Sequence, residues 1–179
     1  MKAISLSVRH ATSAATIGPA AWNACANPEQ SQAPHPFTRY EFFVALEQSG
    51  SAVPGTGWRP CHLVLETEGA VRGLLPLYLK NHSQGEYVFD QGWAEAFERA
   101  GGLYYPKLQS SVPFTPVTGP RLLVAAGADR REIWRALLTA GVEAIAKFKA
   151  SSLHVTFMTE PEWAAAAACG FLQRTDQQF

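Results

Sequence analysis

Five side chains able to do acid–base or ion-pairing chemistry fall within eleven consecutive positions: Lys80, His82, Ser83, Glu86 and Asp90. Tyr104, Tyr105 and Lys107 follow, and a proline-rich loop from Pro113 to Pro120 leads into Arg121. His82 and Glu86 are the candidate catalytic bases, because a modest change of environment brings either group near neutral pH. Lys80, Lys107 and Arg121 are cations suited to a phosphate or a carboxylate, and Asp90 and Tyr105 join them as candidate substrate contacts. Three prolines stiffen the loop, so Thr115, Thr118 and the Gly119 backbone can meet a ligand at little ordering cost. Each residue also has a plainer reading. His82 and Glu86 fit an ordinary solvated loop, and the lysines fit surface charge or ion pairs with Glu86 or Asp90. Tyr104, Tyr105, Trp93 and Phe114 read first as core and second as pocket lining. His82, Glu86 and Asp90 recur every fourth position, but that spacing gathers ligands only on a helix. Gly85 and Tyr87-Val88-Phe89 point to extended chain there, so no metal site is expected.

The elements that must hold these residues alternate in type. Residues 3–8 alternate apolar and polar, as a half-buried strand does. A short helix is predicted from Ile17 to Cys25 with Pro19 in its first turn, and residues 26–36 read as loop. Thr38 and Glu41 form a capping-box pattern, flanked by Phe37 and Phe42 as a hydrophobic staple, for a helix running to Gln48. A hairpin follows: Cys61 to Glu66, a Glu68-Gly69 turn, then Val71 to Leu79, with Pro76 marking a bulge or an unpaired edge. Further on, the pattern predicts a helix over Trp93 to Ala100 and strands over Leu108 to Val112 and Arg121 to Val124. A long helix over Asp129 to Lys149 and a buried strand over Leu153 to Phe157 come next. Last is a helix from Glu160 to Cys169, capped by Thr159 and Glu162, with Phe171-Leu172 beginning another strand. This mixed order fits an α/β or α+β fold built on a single sheet.

Composition narrows the class. The chain has 179 residues, 47% of them hydrophobic, with 15 basic and 15 acidic side chains. One domain of this length can bury a substantial core. The balanced charge gives no nucleic-acid footprint, and no apolar run is long enough to span a bilayer. Residues 1–26 lack the continuous apolar core of a signal peptide. Cys25, Cys61 and Cys169 are odd in number and scattered, which argues against a disulfide framework or a zinc site and for a cytoplasmic protein. No glycine-rich phosphate loop, Gly-x-Ser-x-Gly elbow or His-Glu-x-x-His motif occurs.

Several longer strings are distinctive: HPFTRYEFFVALEQSGS, TGWRPCHLVLE, PLYLKNHSQGEYVFDQGWAEAFERAG, YYPKL and VPFTPVTGPRLL. Together they resemble the bacterial peptidoglycan biosynthesis/recognition proteins, FemAB-like members of the GNAT acyltransferase superfamily. The resemblance runs from about Trp22 to the end of the chain. It implies a GNAT-like, mainly antiparallel mixed sheet flanked by helices. It also implies transfer of an acyl or aminoacyl group from a carrier to an amine, with an acyl-CoA or an aminoacyl-tRNA as donor and a small-molecule or peptide acceptor. A tRNA donor gains no support from the charge. The strand-helix-strand pattern around Cys169-Gly170-Phe171 looks like the end of a GNAT domain. Two features depart from the pattern. The Arg/Gln-x-x-Gly-x-Gly/Ala pyrophosphate loop of acetyl-CoA-using members is replaced by Ala126-Gly127-Ala128-Asp129. Members of the family also usually continue into a second GNAT-like half, so residues 1–179 are expected to form a single N-terminal domain that works with such a half or by self-association. The alternatives are a non-catalytic domain that recognises a peptide or cell-wall precursor, and an incomplete half that is inactive alone.

Overall fold

The computed structural model describes residues 6–28 and 34–175. Its organising feature is one long, bent hairpin. β2 (Trp58–Pro60) runs through Cys61 into β3 (His62–Thr67), and β4 (Ala70–Leu75) runs through Pro76 and Leu77 into β5 (Tyr78–Lys80). Glu68 and Gly69 both have positive φ, the pairing that a tight two-residue hairpin turn requires. Pro60 and Pro76 lie where the two arms bend, and neither can donate to a ladder. At the bend, Cys61 N–H donates to the Leu77 carbonyl at 2.8 Å. The Leu77 N–H instead finds the Nδ1 of the buried His62 at 3.0 Å. The other ring nitrogen of His62 meets Glu47 at 3.0 Å, so this histidine ties the bend to the helix layer. Pro76 thus divides the strand rather than adding a simple bulge.

The bend splits the sheet in two. One half has the order β1-β3-β4-β7, where β1 is Leu6–Ala11 and β7 is Leu123–Val124. The other has the order β2-β5-β6-β8, where β6 is Lys107–Ser110 and β8 is Leu153–Val155. All pairings are antiparallel except β6 with β8. β6 pairs with one arm of the bent strand and β7 with the other, so residues 111–122 loop out at the bend.

Helices cover both faces. Leu63, Leu65, Leu75, Leu77 and Leu108 pack with α4 (Arg130–Phe148) and α5 (Glu160–Ala168). The alternate residues Val64, Leu74 and Leu123 pack with Trp22 of α1 (Pro19–Ala26) and Phe43 of α2 (Tyr40–Gln48). This is the period of two expected of a strand buried on both faces. The fold is α/β and mostly antiparallel, as expected, but the bend at Pro60 and Pro76 replaces the expected single sheet with two four-stranded halves. No helix among the described residues is long and apolar enough to cross a membrane.

Several local expectations change. The first strand is β1, running to Ala11, and its predicted start at residues 3–5 lies outside the described residues. Thr38 and Glu41 do not form a capping box: Thr38 Oγ1 donates to the His35 carbonyl, and Asn23 of α1 accepts from Tyr40 N–H at 3.0 Å. The Phe37–Phe42 staple contact is present, with ring centroids 5.2 Å apart. β8 is half-buried rather than buried, and Phe171-Leu172 forms no strand, Leu172 being almost fully exposed. At the start of α4, Asp129 accepts from the N–H groups of Arg131 and Glu132 as predicted.

Candidate functional site

The register of β5 against β6 places Lys80 directly opposite Lys107. Opposed residues of antiparallel strands share a face, and like charges so placed repel. The chain after β5 supplies the remedy. It folds back so that Glu86 and Asp90 reach the two lysines, and all four residues are essentially sealed from solvent. Lys107 Nζ donates to Asp90 Oδ2 and, at 2.8 Å, to Ser83 Oγ. It also forms an ion pair with Glu86 Oε2 at 2.7 Å, while Glu86 Oε1 has no hydrogen-bond donor among the described residues. Lys80 Nζ is 3.9 Å from Glu86 Oε1, donates to the Gln84 carbonyl at 3.1 Å, and stands 3.5 Å above the ring of Trp58. Tyr104 donates to Asp90 at 2.9 Å. From Lys107 the network continues through Ser83 to the hydroxyl of half-buried Tyr105, 2.7 Å away.

Burial sets the proton affinities. It raises the Glu86 carboxyl above the usual range, and the pull of Lys107 and Lys80 does not cancel it. Burial also lowers the Lys80 ammonium to about 7, with Glu86 opposing the fall and Lys107 adding to it. For Asp90 burial acts upward, but hydrogen bonds from Lys107, Ser83 and Tyr104 outweigh it and hold the carboxyl below its ordinary value. His82 is lowered, by burial first and Lys80 second, so its ring is neutral at pH 7; its Nδ1 accepts from the Gln84 N–H at 3.1 Å.

Lys80 therefore carries a stability signature. Its folded value lies below the ordinary 10.5, so the folded state binds fewer protons than the unfolded chain between about pH 7 and 10.5. Stability must rise with pH across that window, by up to about 1.4 kcal/mol per pH unit for one proton. Urea denaturation from pH 7 to 9 should show this rise in the wild type relative to Lys80→Met. Parallel curves for the two proteins would mean that Lys80 is hydrated.

The other loop is a separate assembly. The Arg121 guanidinium gives all its hydrogen bonds to backbone carbonyls: Thr156 at 3.0 Å, Gly119 and Pro120 at 3.2 Å, and Val117 at 2.6 Å. Glu162 Oε1 accepts from the N–H groups of Arg121 and Leu122, while Oε2 accepts from Thr159. Arg121 thus fastens the loop instead of facing a ligand. Thr115 bonds its own loop at the Pro113 carbonyl, and Thr118 is exposed with its carbonyl 3.2 Å from His35 Nε2. The two loops meet where Phe114 N–H donates to the Gly85 carbonyl at 3.0 Å.

Of the residues singled out in the sequence, the structure unites Lys80, Glu86, Asp90, Tyr105 and Lys107 in one network, with His82 beside it. Thr115, Thr118 and Arg121 lie outside that network. The lysines are not surface charges. Trp93 and Phe114 are exposed rather than core, and with Tyr87, Phe89, Phe97 and Leu103 they leave an apolar surface around the network. Trp58 was not picked out from the sequence. A lone aromatic carries no signal of its own, although its place opposite Lys80 becomes evident once β2 and β5 are paired.

Comparison with known proteins agrees with this architecture. The profile of the FemAB-like family, described as peptidoglycan biosynthesis/recognition, matches residues 13–179. The chain belongs to that family. Among curated proteins, no sequence matches this FemAB-like chain. Among solved structures it is similar to the aminoglycoside N-acetyltransferase AAC(6')-Iy in complex with CoA. The TM-score is 0.58 at 12% identity, over 99% of this chain and 95% of that one. At that identity the likeness is one of fold, and it places the FemAB-like chain on a GNAT-type scaffold.

Proposed function

We propose that this FemAB-like chain is an acyltransferase domain that moves an acyl or aminoacyl group from a carrier to an amine. The observation that supports the reading best is the buried, elevated carboxyl of Glu86, set on a GNAT-type scaffold with hydroxyls leading outward through Ser83 to Tyr105. An amine attacks only after losing its proton, and a carboxylate tuned upward by burial is a competent base for that step. His82, neutral and half-buried next to Lys80, is the second base at the mouth. Lys80, Asp90, Tyr105 and Lys107 form the wall against which the substrate binds.

An acyl-CoA and an aminoacyl-tRNA are both candidate donors. The amino end of α4 does not favour a pyrophosphate, because Asp129 already occupies two of its N–H groups and Glu132 adds a second carboxylate in the first turn. A peptidoglycan precursor as acceptor follows from the family description alone. Three free cysteines, two of them buried, fit a reducing cytoplasm.

The experiment is a donor-by-acceptor screen read by intact mass and thermal shift, since a ligand of the folded state raises its stability with the logarithm of its concentration above Kd. The expected result is amine-dependent loss of acyl from one donor, slowed about 100-fold or more in Glu86→Gln. Full turnover in that variant would remove Glu86 as the base.

The exposed apolar surface on Tyr87, Phe89, Trp93, Phe97 and Leu103 favours a second reading, in which the chain works with another GNAT-like unit or with its own copy through that face. Sedimentation across a concentration series, with Trp93→Glu as control, tests self-association.

A further inference from the structure

The unbonded polar atoms of the buried network are mainly acceptors. Lys107 pairs with Glu86 Oε2 at 2.7 Å, but Glu86 Oε1 and Asp90 Oδ1 have no hydrogen-bond donor among the described residues, although each residue is at least nine-tenths buried. A buried carboxylate oxygen left in this way is costly, and its natural complement is a ligand rich in N–H groups. The walls suit a cation as well. Trp58 already carries Lys80 on its face, and Tyr104 and Tyr105 lie 5.5 and 5.8 Å from Lys107 Nζ.

We propose that Glu86 and Asp90 form an ammonium-binding subsite, in which a primary amine of the ligand takes up the carboxylate oxygens that Lys80 and Lys107 leave unbonded. Naming that amine as the acyl acceptor rests on the transferase reading; the subsite itself does not. Charge balance gives the subsite a distinctive property. Lys80 and Lys107 together match Glu86 and Asp90, so a further ammonium leaves one surplus positive charge in a sealed space. Lys80 is the group that yields: it has one acceptor, the Gln84 carbonyl, and sits on an aromatic ring. Ligand binding therefore expels one proton from Lys80 to solvent. The titratable groups that face this exchange are Lys107 of β6, Glu86, Asp90 and His82 of the loop after β5, Tyr104 and Tyr105 before β6, and His154 of β8. Burial and then Lys107 lower His154 to about 4, so it stays neutral throughout.

The test is calorimetric titration of the full chain at pH 6.5 with n-butylammonium chloride, in phosphate and in HEPES, with N-butylacetamide as the neutral control. The expected result is saturable binding of the ammonium only, weakened about tenfold or more in Glu86→Gln. The observed heat should differ between the buffers by the ionisation heat of about one proton per ligand bound. In Lys80→Met the ammonium should still bind, with that difference gone. The proposal is overturned if the wild type shows no saturable binding, if Glu86→Gln binds equally well, or if binding moves no proton. Amine binding without transfer from any donor would sink the transferase reading and keep the subsite. Transfer with an amine KM unchanged in Glu86→Gln would do the reverse.

Discussion

Lys107→Met is expected to cost about 3–5 kcal/mol of stability at pH 7, the range for removing one partner of a buried ionic cluster. The size follows from what the ammonium holds. Asp90 takes a hydrogen bond from Lys107, Glu86 lies 2.7 Å away, and Ser83 is bonded at 2.8 Å, all in a space almost closed to solvent. Methionine fills a similar volume without charge, so the loss is electrostatic and not a cavity. Two carboxylates then face a single cation, Lys80, and the cheapest response is for one carboxyl to keep its proton. The sign of the pH effect follows. A carboxyl whose folded pKa lies above its unfolded value stabilises at low pH and loses that contribution as pH rises through the folded value. The deficit of Lys107→Met against wild type should therefore shrink from pH 7 toward pH 4, and Lys107→Met/Glu86→Gln should recover part of it at pH 7. Urea denaturation of the three proteins at pH 7, 5.5 and 4 measures this. A cost below about 1 kcal/mol at pH 7 would put the cluster in the range of solvated surface pairs. Glu86 would then have no elevated affinity to use as a base.

That cluster marks where reading the sequence succeeds and where it stops. Its members were visible because charged and phenolic residues crowd the segment from Lys80 to Lys107. Their burial was not, since lysines at strand ends read as solvated, and only the pairing of Lys80 with Lys107 puts them on one face. Elements governed by local chemistry were legible throughout. Glu68-Gly69 specifies its turn, Asp129 caps α4, and Glu162 reaches back to Thr159 at the start of α5. Thr38 and Glu41 carry an equally good local signal, yet Asn23 of another helix takes over the end of α2. A tertiary contact outweighs a local one there, and no periodicity reveals it. The exposed aromatics show the same limit from the other side. Phe97 and Trp93 lie four apart on one face of α3 (Gln91–Arg99), a pattern that predicts burial, yet both rings stay about half exposed, Trp93 under the Arg174 guanidinium and Phe97 against Tyr104.

Arg121→Lys separates two roles that the sequence could not distinguish. As a ligand contact, Arg121 would be replaceable by lysine with little effect on folding, and only binding would suffer. The structure gives it another task. Its planar fork reaches the carbonyls of Val117, Gly119, Pro120 and Thr156, joining the excursion between β6 and β7 to the end of β8. Lysine offers a single nitrogen that cannot span those four positions. Each buried carbonyl left without a donor costs about 1–3 kcal/mol, partly relieved where water can reach, so a loss of about 3–5 kcal/mol is expected. The effect should also be local before it is global, with residues 113–120 becoming the first site of proteolysis while α4 stays protected. Glu162→Gln should resemble it more weakly, because the amide keeps one acceptor oxygen for the N–H groups of Arg121 and Leu122 but turns a donor toward Thr159. Denaturant midpoints and limited proteolysis of both variants decide the matter. If Arg121→Lys proves as stable as wild type, the loop is held by its prolines alone and the guanidinium is free to bind a ligand. If stability falls as expected, the guanidinium is committed to holding the loop and is not available to a ligand.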